Sequence, residues 1–136
     1  MSFVWTEFLA TGNEKMDAQR RKLIEEMNYF FTAITEEKAE KEVERMFTFL
    51  DGFVTGMFFV EESMLRSGNY PEFARHKAQH DFFRKSYANM RNEYELRGVT
   101  DTLISDLHKK IFVWLLNHIT KEDMQWVSFI KNKESK

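Results

Sequence analysis

Apolar residues recur along this chain at alternating spacings of three and four over four long stretches. The first stripe is Met16, Leu23, Met27, Phe30 and Ile34; the second is Val43, Phe47, Leu50, Val54, Met57 and Met64. The third runs through Phe73, Phe83, Tyr87, Met90 and Tyr94, and the fourth through Ile104, Leu107, Ile111 and Trp114 with Leu115. On a helix such positions fall on one face, which is stable only when buried against another. Thr11-Gly12-Asn13, Ser67-Gly68-Asn69-Tyr70-Pro71 and Arg97-Gly98-Val99-Thr100-Asp101 separate the stretches,. The remaining boundary has neither Gly nor Pro and is placed near Thr35 to Lys38, where the apolar spacing lapses.

The pattern predicts an all-α chain, an antiparallel up-down-up-down four-helix bundle forming one domain over 1–136, with helices at about 14–36, 38–67, 71–97 and 100–119,. An N-terminal arm, 1–13, precedes them. A closing segment, 120–136, carries Trp126, Val127, Phe129 and Ile130 and is expected to lay a short helix across one end, with the charged tail from Lys131 fraying,.

Polar residues break the stripes in register. Arg20 fills the gap between Met16 and Leu23, and Glu61 the gap between Met57 and Met64; His76 and His80 sit between Phe73 and Phe83, and His118 ends the fourth stripe. Each helix therefore turns a polar side chain inward. Burying a charge costs several kcal/mol unless it is paired or holds a metal, so these residues are expected to form one layer.

Two histidines at i and i+4 project from one helix face toward a common point, the spacing by which one helix gives two ligands to one ion. Glu61 and His118 would complete the set. Asp123 lies five residues past His118, beyond the expected helix end, where the chain could curl back to add a second carboxylate. Imidazoles with carboxylates suit iron, zinc or manganese. An isolated histidine pair is more often plain helix surface; its place on a core stripe beside a third histidine and an acid favours the metal. His108 falls off the pattern and is expected to be exposed, Met57 reads as core filler, and Glu62 as a solvated helix residue.

Composition narrows the partners. A net charge of −2, with charged residues at 31% and spread along the chain, indicates neither a nucleic-acid footprint nor a membrane-surface patch,. No apolar run is long enough to span a bilayer, and the N-terminus lacks the basic start of a secretion signal, so a cytoplasmic protein is the expectation. Without cysteine, disulfides and thiolate ligands are excluded.

The chain resembles the hemerythrin family, specifically its bacterial single-domain members. The resemblance is carried by Trp5, Thr11-Gly12-Asn13 ahead of Asp17-Ala18-Gln19, the run Phe58-Phe59-Val60-Glu61-Glu62, Tyr70-Pro71, His76 and His80, and Trp114-Leu115-Leu116-Asn117-His118 with Asp123. It implies a four-helix bundle holding two irons bridged by a glutamate, an aspartate and an oxo or hydroxo group, and binding dioxygen at the iron with an open position. Glu61 and Asp123 match the bridging acids; His76, His80 and His118 match the histidines of one iron. Trp114 and Leu115 are the candidate pocket residues beside it. The two histidines of the other iron are replaced by Arg20 and Met57, so a complete di-iron centre is not expected.

Arginine stays protonated and cannot be a ligand, while its planar fork matches carboxylates. Arg20 is therefore expected to pair with Glu61, Asp123 or both, standing in for the missing ion; the alternative is that it snorkels to the bundle end. Three readings stay open. One is a protein holding a single iron or zinc ion and poorly suited to carry dioxygen. Another is a lone-iron redox protein or a sensor of dioxygen or nitric oxide, although no general acid or base is identifiable and a sensor would need an unknown protein partner. The last is a metal-free interaction scaffold.

Overall fold

The computed structural model describes residues 3–134, without the side chains of Val54, Thr55 and Glu134, so Val54 of the second stripe lies outside the described residues. Among them every regular element is helical and there is no strand. Helix α1 is Glu14–Thr35, α2 is Ala39–Ser67 and α3 is Phe73–Arg97. A fourth helical run covers 101–134, and a 3-10 turn at Glu7–Leu9 interrupts the arm.

Local chemistry explains the boundaries. Asn13 caps α1 by accepting from the Met16 N–H at 3.0 Å, and Thr100 caps the fourth run by accepting from the Leu103 N–H at 3.0 Å,. Both α1 and α2 close in the same way. The Lys38 N–H reaches back to the Ala33 carbonyl and the Glu37 N–H to that of Ile34, with Glu37 at a left-handed φ of 58°,. Tyr70 and Asn69 repeat the pattern at the end of α2, with Asn69 at φ 56°. The boundary without Gly or Pro is thus a helix stop that places a glutamate where glycine is usual.

The fourth run departs from expectation. The chain does not end a helix near 119 and fold a separate short one across the bundle. Instead it continues from Asp101 through Glu134, with π-helical turns at Leu107–Val113 and His118–Glu122. Residues 131–134, which the sequence reads as a fraying tail, are helical in this run, with Lys133 Nζ donating to the Gly68 carbonyl at 2.9 Å; residues 135–136 lie outside the described part.

Two apolar clusters divide the interior. The larger holds Leu23, Met27, Met57, Phe58, Phe83, Leu115 and Ile119 with the residues toward the other end; the smaller holds Met16, Leu65, Tyr70, Trp126 and Val127. Arg20 lies between Met16 and Leu23, Glu61 between Phe58 and Leu65, His80 next to Phe83, and Asp123 between Ile119 and Trp126. On every helix the polar residue falls where one cluster gives way to the other. The polar layer is a closed slice of the core, sealed on both sides from water.

Candidate metal centre

Glu61, His76, His80, His118 and Asp123 each offer one ligand atom, and these atoms all lie within 4.8 Å of one another. None of the five side chains is more than 3% exposed. The spacing of α3 puts His76 and His80 on one face, one turn apart, and Glu61 faces them from α2.

His118 and Asp123 meet by a different device. Five residues apart on an α-helix, they would point to different faces. The π-helical turn at His118–Glu122 carries the Asp123 N–H to the His118 carbonyl, five residues back, and the inserted residue rotates Asp123 onto the same face,. Its Oδ1 then lies 3.1 Å from His118 Nε2. Asp123 therefore enters the layer from within a continuous helix, and no backward curl of the chain is needed. The Thr120 hydroxyl donates to the Leu116 carbonyl at 2.8 Å, supplying a partner where the backbone ladder slips,.

The inner atoms crowd one another. His76 Nε2 is 2.5 Å from Glu61 Oε1 and 3.1 Å from Asp123 Oδ1; His80 Nε2 is 3.2 Å from Glu61 Oε1 and 3.1 Å from His118 Nε2. Although Asp123 Oδ1 is close to two imidazoles, its angles make no hydrogen bond, and it is buried without a partner. Atoms bound to one ion at about 2.1 Å sit about 3 Å apart while pointing at the centre and past each other. The orphaned oxygen and the donor set therefore fit a metal.

Each acid also turns an oxygen the other way. Arg20 Nη2 lies 2.8 Å from Asp123 Oδ2 and 3.3 Å from Glu61 Oε2, and Arg20 is only 1% exposed. It does not snorkel. Among the described residues its Nε and Nη1 have no hydrogen-bond partner, and the guanidinium carbon stands 5.7 Å from the centre of the Trp126 ring,. Met57 is buried in the larger apolar cluster.

The charges respond to this crowding. Burial alone would lower the pKa of His76, but its close contacts with Asp123 and Glu61 and the charges of both acids outweigh it and raise it to about 9,. Burial likewise works to raise that of Asp123, yet the charge of Arg20 and contacts with His118 and His76 hold it well below the ordinary carboxylate range. Without an ion, Arg20 and a protonated His76 balance the two carboxylates.

Several expectations need correction. Glu62 is not a solvated surface residue: its Oε2 lies 2.7 Å from His80 Nδ1 and accepts from Arg84 Nη2 at 2.7 Å, and its side chain is 12% exposed. A signal was present, since Arg84 follows His80 by four residues and so shares its helix face. His108 is half-buried, its ring edge-on to Phe31 at 4.7 Å, and burial, with the charge of Lys109 next, lowers its pKa. Of the candidate pocket residues, Trp114 stacks on His118 at 4.9 Å and lines a cavity of about 210 Å³ with Gln79, Asn117 and His118,. Leu115 is fully buried in the core.

Three imidazoles and two carboxylates enclosed in the middle of a helical bundle define a cation-binding protein of the histidine–carboxylate type. The hemerythrin HHE cation binding domain matches residues 11–130, and the chain belongs to the hemerythrin family. It is 32% identical over 129 residues to a bacteriohemerythrin of Stenotrophomonas maltophilia, covering 94% of this chain and 81% of that one. A bacteriohemerythrin of Clostridium acetobutylicum is 26% identical over 92% of this chain and 98% of its own. One of Pseudomonas aeruginosa is 25% identical over 97% and 84%. Members of the family bind iron and dioxygen. Among the described residues, no helix is long and apolar enough to cross a membrane.

Proposed function

We propose that the chain binds one divalent metal ion, iron or zinc, through His76, His80, His118, Glu61 and Asp123, and that Arg20 takes the place of a second ion. One observation carries the reading. The inner oxygens of Glu61 and Asp123 face the histidines, while their outer oxygens face the Arg20 guanidinium at 3.3 and 2.8 Å. A guanidinium cannot release its charge or give a lone pair, so the position it fills is closed to a metal. Met57, replacing a second ligand, offers that position only an apolar side chain. When bound, the metal supplies Lewis acidity and, as iron, one-electron redox chemistry; the protein supplies three neutral donors, two anions and exclusion of water. Reversible dioxygen carriage, which in the family uses two irons, is then poor.

Elemental analysis after growth with iron and with zinc tests this. One ion per chain is expected, and two irons per chain with the absorption of an oxo-bridged pair would overturn the reading. A metal-free scaffold is the second reading. It draws on the charge balance that Arg20 and protonated His76 already give the two acids, and uptake of no metal under either condition would favour it.

A further inference from the structure

A ligand histidine must present a lone pair, and an imidazole can do so from either nitrogen. His80 has 0% exposure and no freedom to exchange its two edges. Phe58 lies flat on its ring, with centroids 3.8 Å apart and planes within 3°, and Arg84 stands over the Phe58 ring at 5.4 Å. Toward the outside, His80 Nδ1 is 2.7 Å from Glu62 Oε2. An ionised carboxylate only accepts hydrogen bonds, so the proton of a neutral imidazole sits on Nδ1 and the lone pair on Nε2. Nε2 is the nitrogen that faces Glu61 and His118.

The carboxylate is itself held. Arg84 Nη2 donates to the same Oε2 at 2.7 Å, and its Nη1 donates to Asp81 Oδ1 at 2.8 Å. Lys77 closes the series at 2.7 Å from Asp81 Oδ2. Alternating charges thus run from solvent to a buried imidazole, and the surface residues hold the Glu62 carboxylate in place beneath them.

We propose that Glu62 is a positioning residue for metal binding: anchored by Arg84, it sets the Nδ1–H tautomer of His80 and aims the Nε2 lone pair into the cluster. The proposal rests on the one-metal reading for its effect on affinity, and on geometry alone for its effect on the tautomer. Removing the carboxylate partner of a ligand histidine costs about 10- to 100-fold in metal affinity.

Two readouts test it on the full chain. Nitrogen-15 correlation spectra of the metal-free protein report which nitrogen of His80 carries the proton, and competition with a chelator gives the dissociation constants of zinc and cobalt(II). Glu62→Ala is expected to bind either ion about 10- to 100-fold more weakly and to lose the single tautomer. Glu62→Gln keeps a carbonyl acceptor at the same distance and should restore Nδ1–H and most of the affinity, which a merely structural role for the charge would not predict. Arg84→Ala should fall between them. Affinity of Glu62→Ala within twofold of wild type, or a wild-type His80 protonated on Nε2, would overturn the assignment. A wild-type chain that takes up neither ion defeats the one-metal reading instead, and the tautomer then decides the role of Glu62 by itself.

Discussion

Replacing Arg20 by alanine probes the core of the proposed layer. The side chain is among the largest that are fully buried, and its Nη2 is the partner of two carboxylates that are themselves 0% exposed. Breaking a buried ion pair by removing one member costs about 3–5 kcal/mol, because the other is left charged without compensation. Two features of this site pull the value down. His76, its pKa raised to about 9, stays protonated at neutral pH and continues to face both acids. Arg20 also leaves Nε and Nη1 without partners, a desolvation cost that its removal relieves,. The lower end of the range, about 3 kcal/mol, is therefore expected for the metal-free protein. Urea unfolding of chelator-treated samples, followed by far-ultraviolet circular dichroism, should show the midpoint fall by about 1–3 M with an unchanged slope. Arg20→Met separates charge from volume: it restores the packing and should recover only a small part of the loss. Divalent metal at a hundred times its dissociation constant should return about 2.7 kcal/mol. A loss below about 1 kcal/mol in Arg20→Ala would mean that the guanidinium does not compensate the two acids, and the account of Arg20 as a substitute cation would fail.

On the one-metal reading, placing histidines at both positions in Arg20→His with Met57→His should raise the metal content to two ions per chain by elemental analysis; a content of one would show that these positions do not limit the site. Metal affinity should strengthen by up to about tenfold per pH unit between the ordinary histidine range and pH of about 9, since the ion must displace the His76 proton, and then level off in chelator competition,. The sign reverses for metal-free stability: the elevated folded pKa contributes fully below about 6.5 and its contribution is lost as pH rises through about 9, so the unfolding temperature should fall across that window,. Glu37→Gly relieves a left-handed backbone at φ 58° and should stabilise the fold by about 0.5–1 kcal/mol in urea, whereas a decrease would show that the glutamate side chain matters more than the turn,.

The helices were legible because burial has a period, and so was the polar layer, because its members interrupt that period on every one of the four helices. Arg20, Glu61, His76, His80 and His118 fall together in the sequence pattern for this reason. Flanking residues were less accessible. Glu62 sits one position round the helix from Glu61, and whether that flank meets water or α3 depends on how far two helices rotate against each other, which periodicity does not encode. His108 misled in the same way: it is off the stripe, yet the edge of Phe31 covers it.

Asp123 shows most clearly what a periodic reading loses. At 3.6 residues per turn, residues five apart diverge by about 140°, so His118 and Asp123 seem to belong to different faces that only a helix end between them would reunite. The chain instead keeps its helix and shifts the hydrogen-bond ladder by one residue over His118–Glu122. That shift has two consequences at once. It brings the aspartate to 3.1 Å from His118 Nε2, and it keeps the backbone continuous, so that Trp126 and Val127 seal the layer from the far side. A break in the helix could provide the first, but it would leave unpaired carbonyls beside a buried anion and no rigid segment to carry the seal. The π-helical turn therefore belongs to the construction of the site as much as the five side chains do, and the five-residue spacing, which looks like an error of register, is the sequence trace of it.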